Sequence, residues 1–543
     1  MTIKNYYIVL GITSILFGCG KEKTSQLTVK SDNKIQIEKK KASPEEEVFY
    51  HVFQRSFYDS NQDNHGDLNG FTSKLDYLQD LGITSVLMTP LYPSIYYHNY
   101  FPDSFEGIDK EYGTLNDYIS MIKNLHQRDM KFYMDMEIHY VTKNHTWFKE
   151  SYKNPESEYG EYIIYNGANN SEPESIIFNL TSLEGFDGQS IEITTADLYN
   201  KNVQNYFNEL FTFWLDPNQD GNFEDGVDGF RIDHMMDDLD WKGIRTDLFS
   251  KFWAPLFINL KAINPDIKFF GEQADWKDYG KEYFDTGKVD MMFGFGIREG
   301  IISFDKEEYI EKVNATGLAT PIGKHQLVFL ENHDIPRYAS IVKGDPNKLK
   351  LGAFLMMFTK GIPSIYYGQE IGMIGAGGFG KYGNSDANDI PMREAFEWYA
   401  TIAGSGMALW YKDTGLWWEQ TSIIDNDGIS VEEQVDDPNS LLNFYKKIID
   451  IRKSNKVLQI GKQEFLKNDH GDVISFYRTH NNHVFLIIVN VGKKISEVRI
   501  TTSQKNISKM EPLLEQGLLD HKIKEGIIVV KLKPLSYGMW KLQ

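Results

Sequence analysis

The sequence predicts an α/β chain: a (β/α)8 barrel with a lobe inserted after its third strand and a C-terminal antiparallel β-sandwich. Three observations carry this prediction. Eight short β-rich apolar runs recur from Val48 onward with helix-period stretches between them, which is the rhythm of parallel βαβ units. Eight such units close naturally into a barrel. Residues 139–200 break the rhythm, and beyond residue 455 strands follow one another without helices.

The elements follow in chain order. Residues 1–18 read as a bacterial lipoprotein signal peptide: Lys4 supplies the positive charge and Tyr6 to Phe17 an apolar segment of secretory length. Cys19, the one cysteine in 543 residues, stands where such a signal places its acylated residue. Residues 19–46 are polar and of mixed charge, a flexible tether. The chain is thus expected to be exported to the cell envelope and to meet the membrane through its lipid alone. Barrel strands are expected at 48–53, 84–90, 131–138, 226–233, 267–273, 288–293, 325–334 and 362–370, with helices at 70–82, 114–129, 201–215, 244–263 and 348–360. These make a catalytic body over 47–455, with the Asn-, Tyr- and Ser-rich lobe at about 139–200. A helix over 441–454 leads to a β domain at 456–543 with alternating strands such as VISFYRT and HVFLIIVN.

Composition narrows the function. Lys plus Arg number 57 against 77 Asp plus Glu, a net charge of −20 that repels phosphate backbones and argues against a nucleic-acid partner. No stretch past residue 20 is long and apolar enough for a spanning helix, which excludes polytopic membrane folds.

In a barrel of this kind the chemistry sits where strands end. Reading those ends yields Asp135, Asp233, Glu272 and Asp334, with Arg231 and His333 as companions. Arg231 lies two residues before Asp233 and shares its strand face. A guanidinium about 4 Å away at an effective dielectric near 20 favours the ionised carboxylate by about 4 kcal/mol. Asp233 should therefore stay charged and serve as a nucleophile. Glu272 lies on the next strand, about 4.8 Å away, which allows a carboxyl separation near the roughly 5.5 Å of retaining glycoside hydrolysis. Its like-charged neighbours raise its proton affinity, suiting it to act as general acid and then base. Asp334 is placed to bind sugar hydroxyls, and Asp135 is compatible with a structural cap. A metal-dependent barrel hydrolase would want more histidine than His139 and His333 at the strand ends.

These residues resemble the α-amylase family of glycoside hydrolases, family 13, from about Val48 to the C-terminus. GVDGFRID resembles that family's nucleophile strand, FFGEQ its acid/base strand, FLENHD its transition-state-stabiliser strand and MDMEIHY its first motif strand. The resemblance implies Asp233 as nucleophile, Glu272 as acid/base and Asp334 as stabiliser, with Arg231 and His333 at the sugar and Tyr100 as the stacking platform. Three departures stand out. His139-Tyr140 replaces the usual Asn-His, leaving Tyr140 as a possible hydrogen-bond donor to substrate and altering the family's inter-domain calcium site. Phe101 replaces the Asp that grips a terminal sugar in exo-acting members, favouring an open, endo-acting cleft. Met236 and Asp237 replace a basic residue and a His.

DSNQDNHGD offers oxygen ligands at alternate positions, namely Asp59, Asn61, Asp63, the His65 carbonyl and Asp67. Hard donors at this spacing wrap a calcium ion, although Gly70 stands where an EF-hand loop carries its bidentate Glu. Related amylase-family enzymes carry a calcium loop at this point. Asp216, Asn218, Asp220 and Asn222 form a second such ladder, whose alternative is a plain Asx-rich turn. The expected function is an endo-acting, retaining hydrolase of α-1,4 glucosidic bonds in starch or maltooligosaccharides, with structural Ca2+. An α-glucosidase or transglycosylase of the same family is the alternative, and a non-catalytic glycan-binding protein on this fold is the rival of another class.

Overall fold

The computed structural model describes residues 43–502, 507–524 and 526–543, so Cys19, the signal segment and most of the tether lie outside the described residues. Three parallel staves open the barrel: β1 (Phe49–Val52), β2 (Ser85–Met88) and β3 (Lys131–Met136). The lobe then contributes β4 (Tyr140–Thr142), β5 (Ser182–Glu184) and β6 (Ser190–Thr195), an antiparallel sheet in the order β4-β6-β5. Five more staves follow: β7 (Gly229–Met235), β8 (Lys268–Gln273), β9 (Met291–Phe293), β10 (His325–Val328) and β11 (Ile362–Tyr366). All eight are parallel, and β11 pairs back onto β1 to close the barrel. Every residue of β1, β2, β9 and β11 is buried, as expected where helices cover one face of a sheet and side chains fill the other.

The barrel interior is aromatic: Phe49 packs on Tyr133 at 4.7 Å and Phe270 on Phe293 at 4.4 Å between ring centres. Tyr133 also explains Gly229 on the neighbouring strand, since a Cβ there would stand 2.4 Å from the tyrosine ring. Among the described residues, no helix is long and apolar enough to cross a membrane.

Five elements depart from the sequence expectation. The helix expected over 70–82 is two, Leu68–Ser73 and Leu75–Leu81, broken at Lys74, whose ammonium lies 3.9 Å above the Tyr58 ring centre and 4.4 Å above that of Trp398. The helix expected over 244–263 starts late, with a π-turn at Phe249–Trp253 running into Ala254–Ile263. Pro255 removes one N–H there, and Asp240, Trp241 and Asp247 hold left-handed backbone upstream. The seventh stave ends at Val328 rather than Asp334, and Phe329–Asp334 continues beyond it without strand pairing. Two helices unassigned from sequence, Phe295–Ser303 and Lys306–Ala319, join β9 to β10.

The C-terminal domain comprises β12 (Lys462–Phe465), β13 (Val473–His480), β14 (His483–Asn490), β15 (Ser496–Thr501), β16 (Met510–Lys524) and β17 (Ile527–Leu542). β17 turns at Leu535, where φ is 47°, so that its first half pairs with β15 and its second with β14. The antiparallel sheet thereby folds around Tyr477, Leu486, Val498, Val530 and Trp540. It seats on the barrel helix Pro346–Phe358: Tyr537 stacks on Phe354 at 4.2 Å, and Arg478 donates to the Phe358 carbonyl at 2.8 Å. Arg452, on the helix Leu441–Lys453, donates to the carbonyls of Met357, Leu458, Gly361 and Glu45. Two buried guanidinium groups therefore satisfy the carbonyls left orphaned at the end of Pro346–Phe358.

Candidate active site

Alternation on β7 sends Phe230 and Ile232 toward the helices and Arg231 and Asp233 into the barrel mouth. Arg231 is fully buried and organises the site through its fork. Nη1 donates to both oxygens of Asp135 at 2.8 Å and to Asp233 Oδ1, while Nη2 donates to Glu272 Oε2 at 2.6 Å. Two carboxyl groups held by the two nitrogens of one guanidinium are close neighbours by construction, so Asp233 and Glu272 face a common space. The pairing of β7 with β8 slips between Ile232 and Met235, and His234 adopts φ 48°. This bulge turns the His234 N–H onto Glu272 Oε2 at 3.2 Å.

The loop after β2 brings Tyr100 across the mouth. Its hydroxyl donates to Asp135 Oδ2 at 2.7 Å and meets His333 Nε2 at 2.7 Å, and its ring lies parallel to that of His333 at 5.3 Å. Asp334 receives Arg393 Nη2 at 3.2 Å, and Arg393 also donates to the His333 carbonyl and to the Tyr97 hydroxyl. The structure thus brings Asp233, Glu272, Asp334, Arg231, His333 and Tyr100 together. Asp135, which the sequence left compatible with a cap, is the partner that squares Arg231 to the other two acids.

The protonation pattern follows from this geometry. Burial raises the proton affinity of every acid here, and the charges and hydrogen-bond donors around each one decide the outcome. For Asp233, burial is overcome by the Arg231 charge and by hydrogen bonds from Glu137 and Arg231, which hold the carboxyl below the usual range. For Glu272, burial prevails over Arg231 and is reinforced by Asp233 and Asp334, leaving it well above the usual range. Burial lifts Asp135 to about 7 against the pull of Arg231, and Asp334 to about 6 against Arg393. Burial keeps His333 neutral, well below the ordinary imidazole range. Two neighbouring carboxyls driven in opposite directions are the signature of an acid and base pair.

The Tyr140 hydroxyl donates to Asp240, and the residue is 2% exposed. His139 is likewise buried, with Nδ1 at 2.7 Å from Glu137 Oε1 and its ring against Trp253. Glu137 and Asp240 carried no sequence signal of their own, because a single acid one turn of alternation away from Asp135 reads as a strand-edge residue. Arg393, from the loop after β11, lies outside the strand-end motifs.

The acidic loop 59–67 is a ladder of Asx turns. Asp59 accepts the N–H groups of Asn61, Gln62 and Asn64, Asn61 accepts that of Asp63, and Asp63 that of His65. Asp67 caps the helix Leu68–Ser73 by accepting from Gly70 N, and also receives Ser60. The loop at 216–222 repeats the pattern through Asp216, Asn218 and Asp220. Among the described residues, the cluster of three potential ligating side chains with facing atoms is Glu137, Asp233 and His234, and it lies at the reacting carboxylate itself.

A family model described as the α-amylase catalytic domain matches residues 51–461. The chain belongs to the α-amylase family. It is 28% identical over 466 residues to α-amylase 3 of Dictyoglomus thermophilum, covering 82% of this chain and 85% of that one. It is 26% identical to the oligo-1,6-glucosidase of Parageobacillus thermoglucosidasius, over 92% of this chain and 98% of the relative. A third relative is a 4-α-glucanotransferase of Thermotoga maritima, 28% identical over 80% of this chain and 93% of its own. Among solved structures, an α-amylase from H. orenii superposes with a TM-score of 0.74 at 23% identity, covering 92% of this chain and 99% of that one, a likeness of fold. The protein is thus an enzyme of the glycosidase and transglycosylase type that this family contains, with a glucan or oligosaccharide as substrate.

Proposed function

We propose that this member of the α-amylase family is a retaining hydrolase acting within α-1,4-linked glucan, starch or maltooligosaccharide, by double displacement. The observation that carries the proposal is the single Arg231 fork that joins Asp135, Asp233 and Glu272. In the first step Asp233 attacks the anomeric carbon while Glu272 gives its proton to the leaving oxygen. In the second, Glu272 takes a proton from water as the water displaces Asp233. Asp334, held by Arg393 beside His333, accepts hydrogen bonds from sugar hydroxyls that shorten in the oxocarbenium-like transition state. Tyr100 offers its ring and Arg231 its positive field to the same sugar. Endo-action is supported by Phe101, an apolar wall packed edge-on against Tyr96 where exo-acting members grip a chain end.

The test has two arms. A 5-fluoro-glucosyl probe should form an adduct on Asp233, seen by peptide mass spectrometry. Starch and maltoheptaose should give products of several sizes whose first-formed anomer is α. Release of glucose alone would replace endo-action with an α-glucosidase reading, longer products formed from maltose would replace hydrolysis with transglycosylation, and absence of both adduct and products would overturn the proposal. We further propose calcium at Asp59, Asn61, Asp63, the His65 carbonyl and Asp67, on the strength of their alternating oxygens, and a lipid anchor on Cys19 at the cell envelope. Incorporation of labelled palmitate that is lost in Cys19→Ser tests the anchor.

A further inference from the structure

Glu137 is a carboxyl group that the reaction above does not use, yet it lies against the proposed nucleophile. It sits one residue past the end of β3, 1% exposed. Its main chain is locked to the Tyr92 hydroxyl at both ends, N–H donating at 3.1 Å and carbonyl accepting at 2.9 Å. Its Oε1 accepts twice from His139, from the backbone N–H and from Nδ1 at 2.7 Å. Its Oε2 is buried with no donor facing it. Beside the carboxyl lies β7: an oxygen of Glu137, an oxygen of Asp233 and a nitrogen of His234 all lie within 4.8 Å of one another. Asp240 approaches from the loop after β7, with its own hydrogen bond from Tyr140.

Two carboxyl oxygens within 4.8 Å of each other inside a protein repel strongly unless one group carries a proton. Arg231 favours the charge on Asp233, so the proton belongs on Glu137. Burial, with Asp233 next in weight, raises Glu137 well above the usual range, in agreement. His139 is held neutral by burial, about 3, so it cannot supply a compensating charge but does supply the Nδ1–H that fixes the carboxyl's orientation. The result is a directed chain, His139 to Glu137 to Asp233, ending on the reacting carboxylate.

We propose that Glu137 is a positioning residue of the second half-reaction: its protonated carboxyl hydrogen-bonds Asp233 and makes it a better leaving group from the glycosyl-enzyme. This rests on the double-displacement reading above. In that step the bond between C1 and the Asp233 oxygen breaks, and its electron pair stays on Asp233 as carboxylate. The water oxygen bonds to C1, the water proton passes to Glu272, and the Glu137 proton stays on Glu137. A hydrogen bond to a carboxylate is stronger than one to the ester it came from, so the contact favours release of the sugar. By the same argument it restrains the first attack.

The experiment compares wild type, Glu137→Val and Glu137→Gln on an activated aryl α-maltoside, by stopped flow and intact-protein mass spectrometry. Glu137→Val removes the donor. Its turnover should fall about ten- to hundredfold, the range of one charge-assisted hydrogen bond, with an aryl burst and an accumulated glycosyl adduct. Glu137→Gln keeps an N–H donor and should restore most of the turnover and abolish the burst. A Val variant without burst or slowed turnover, or a Gln variant that behaves like Val, overturns the role. Should the Val variant not fold, the infrared difference between wild type and Glu137→Gln decides. At pH 7 it must contain a carboxylic-acid carbonyl band, and a carboxylate band in its place overturns the proposal. A wild type without turnover or adduct condemns the hydrolase reading instead, so the two failures are distinguishable.

Discussion

Replacing Arg231 with Met removes the guanidinium that Asp135, Asp233 and Glu272 share. The charge centre lies about 4 Å from each carboxyl, worth about 4 kcal/mol per pair at an effective dielectric near 20. For Asp233 this is about 3 pH units of proton affinity. The sign is clear: a carboxyl held low in the folded protein keeps its charge, and its share of stability, down to acid pH and loses both as pH falls through its folded value. Without Arg231 that protection is lost, and Asp233 takes up a proton at higher pH than in the wild type. The acid limb of kcat/KM should therefore move up by about 3 pH units, and the value at the wild-type optimum should fall about a thousandfold. The assay is kcat/KM for an aryl α-maltoside across the pH range, with circular dichroism to establish that the variant is folded. Arg231→Lys should recover only part of the loss, because a point charge cannot reach both the Asp233 and Glu272 sides of the fork. A folded Arg231→Met enzyme whose acid limb stays within half a unit of wild type would refute the electrostatic reasoning.

Four further outcomes follow from the same structure. Tyr140→Phe should change KM less than about threefold, since its hydroxyl is committed to Asp240; a tenfold rise in KM would return Tyr140 to the substrate. Arg452→Met strands the carbonyls of Met357, Leu458, Gly361 and Glu45 and should cost about 3 kcal/mol, read as a Tm several degrees lower by calorimetry; an unchanged Tm would mean water reaches them. Burial, with Asp427 and Glu394 next, lifts Glu397 to about 9. A raised folded value gives full stability below the unfolded one and loses it as pH climbs toward 9, so Tm should fall over that range in wild type and less steeply in Glu397→Gln. Chelator should lower Tm, calcium should restore it, and Asp59→Asn should remove the response; a chelator without effect rejects the ion at 59–67.

The barrel was legible in the sequence because each stave belongs to a short, largely apolar run bounded by turns, and such runs recur between helix-period stretches. The acids of the site were legible because they sit at the ends of those runs. What escaped reading depends on contacts between segments far apart in sequence. Asp135 and Asp233 look alike as strand-end acids, and only the register of β3 against β7 sets Asp135 opposite Arg231. Glu137 and Asp240 become meaningful only beside Asp233 and Tyr140, 96 and 100 residues away along the chain. The late start of Phe249–Trp253 rests on backbone dihedrals that no periodicity encodes.

The seating of the C-terminal sheet on Pro346–Phe358 limits how the gene can be cut. A truncation near residue 460 keeps every strand-end acid yet strips the guanidinium from the Phe358 carbonyl and uncovers Phe354. Such a fragment would display raw apolar surface on the side opposite the sugar, and clumping would precede any loss of chemistry. Engineers wishing to graft this mouth onto another partner must carry the trailing sheet along, or redesign the helix end that it closes.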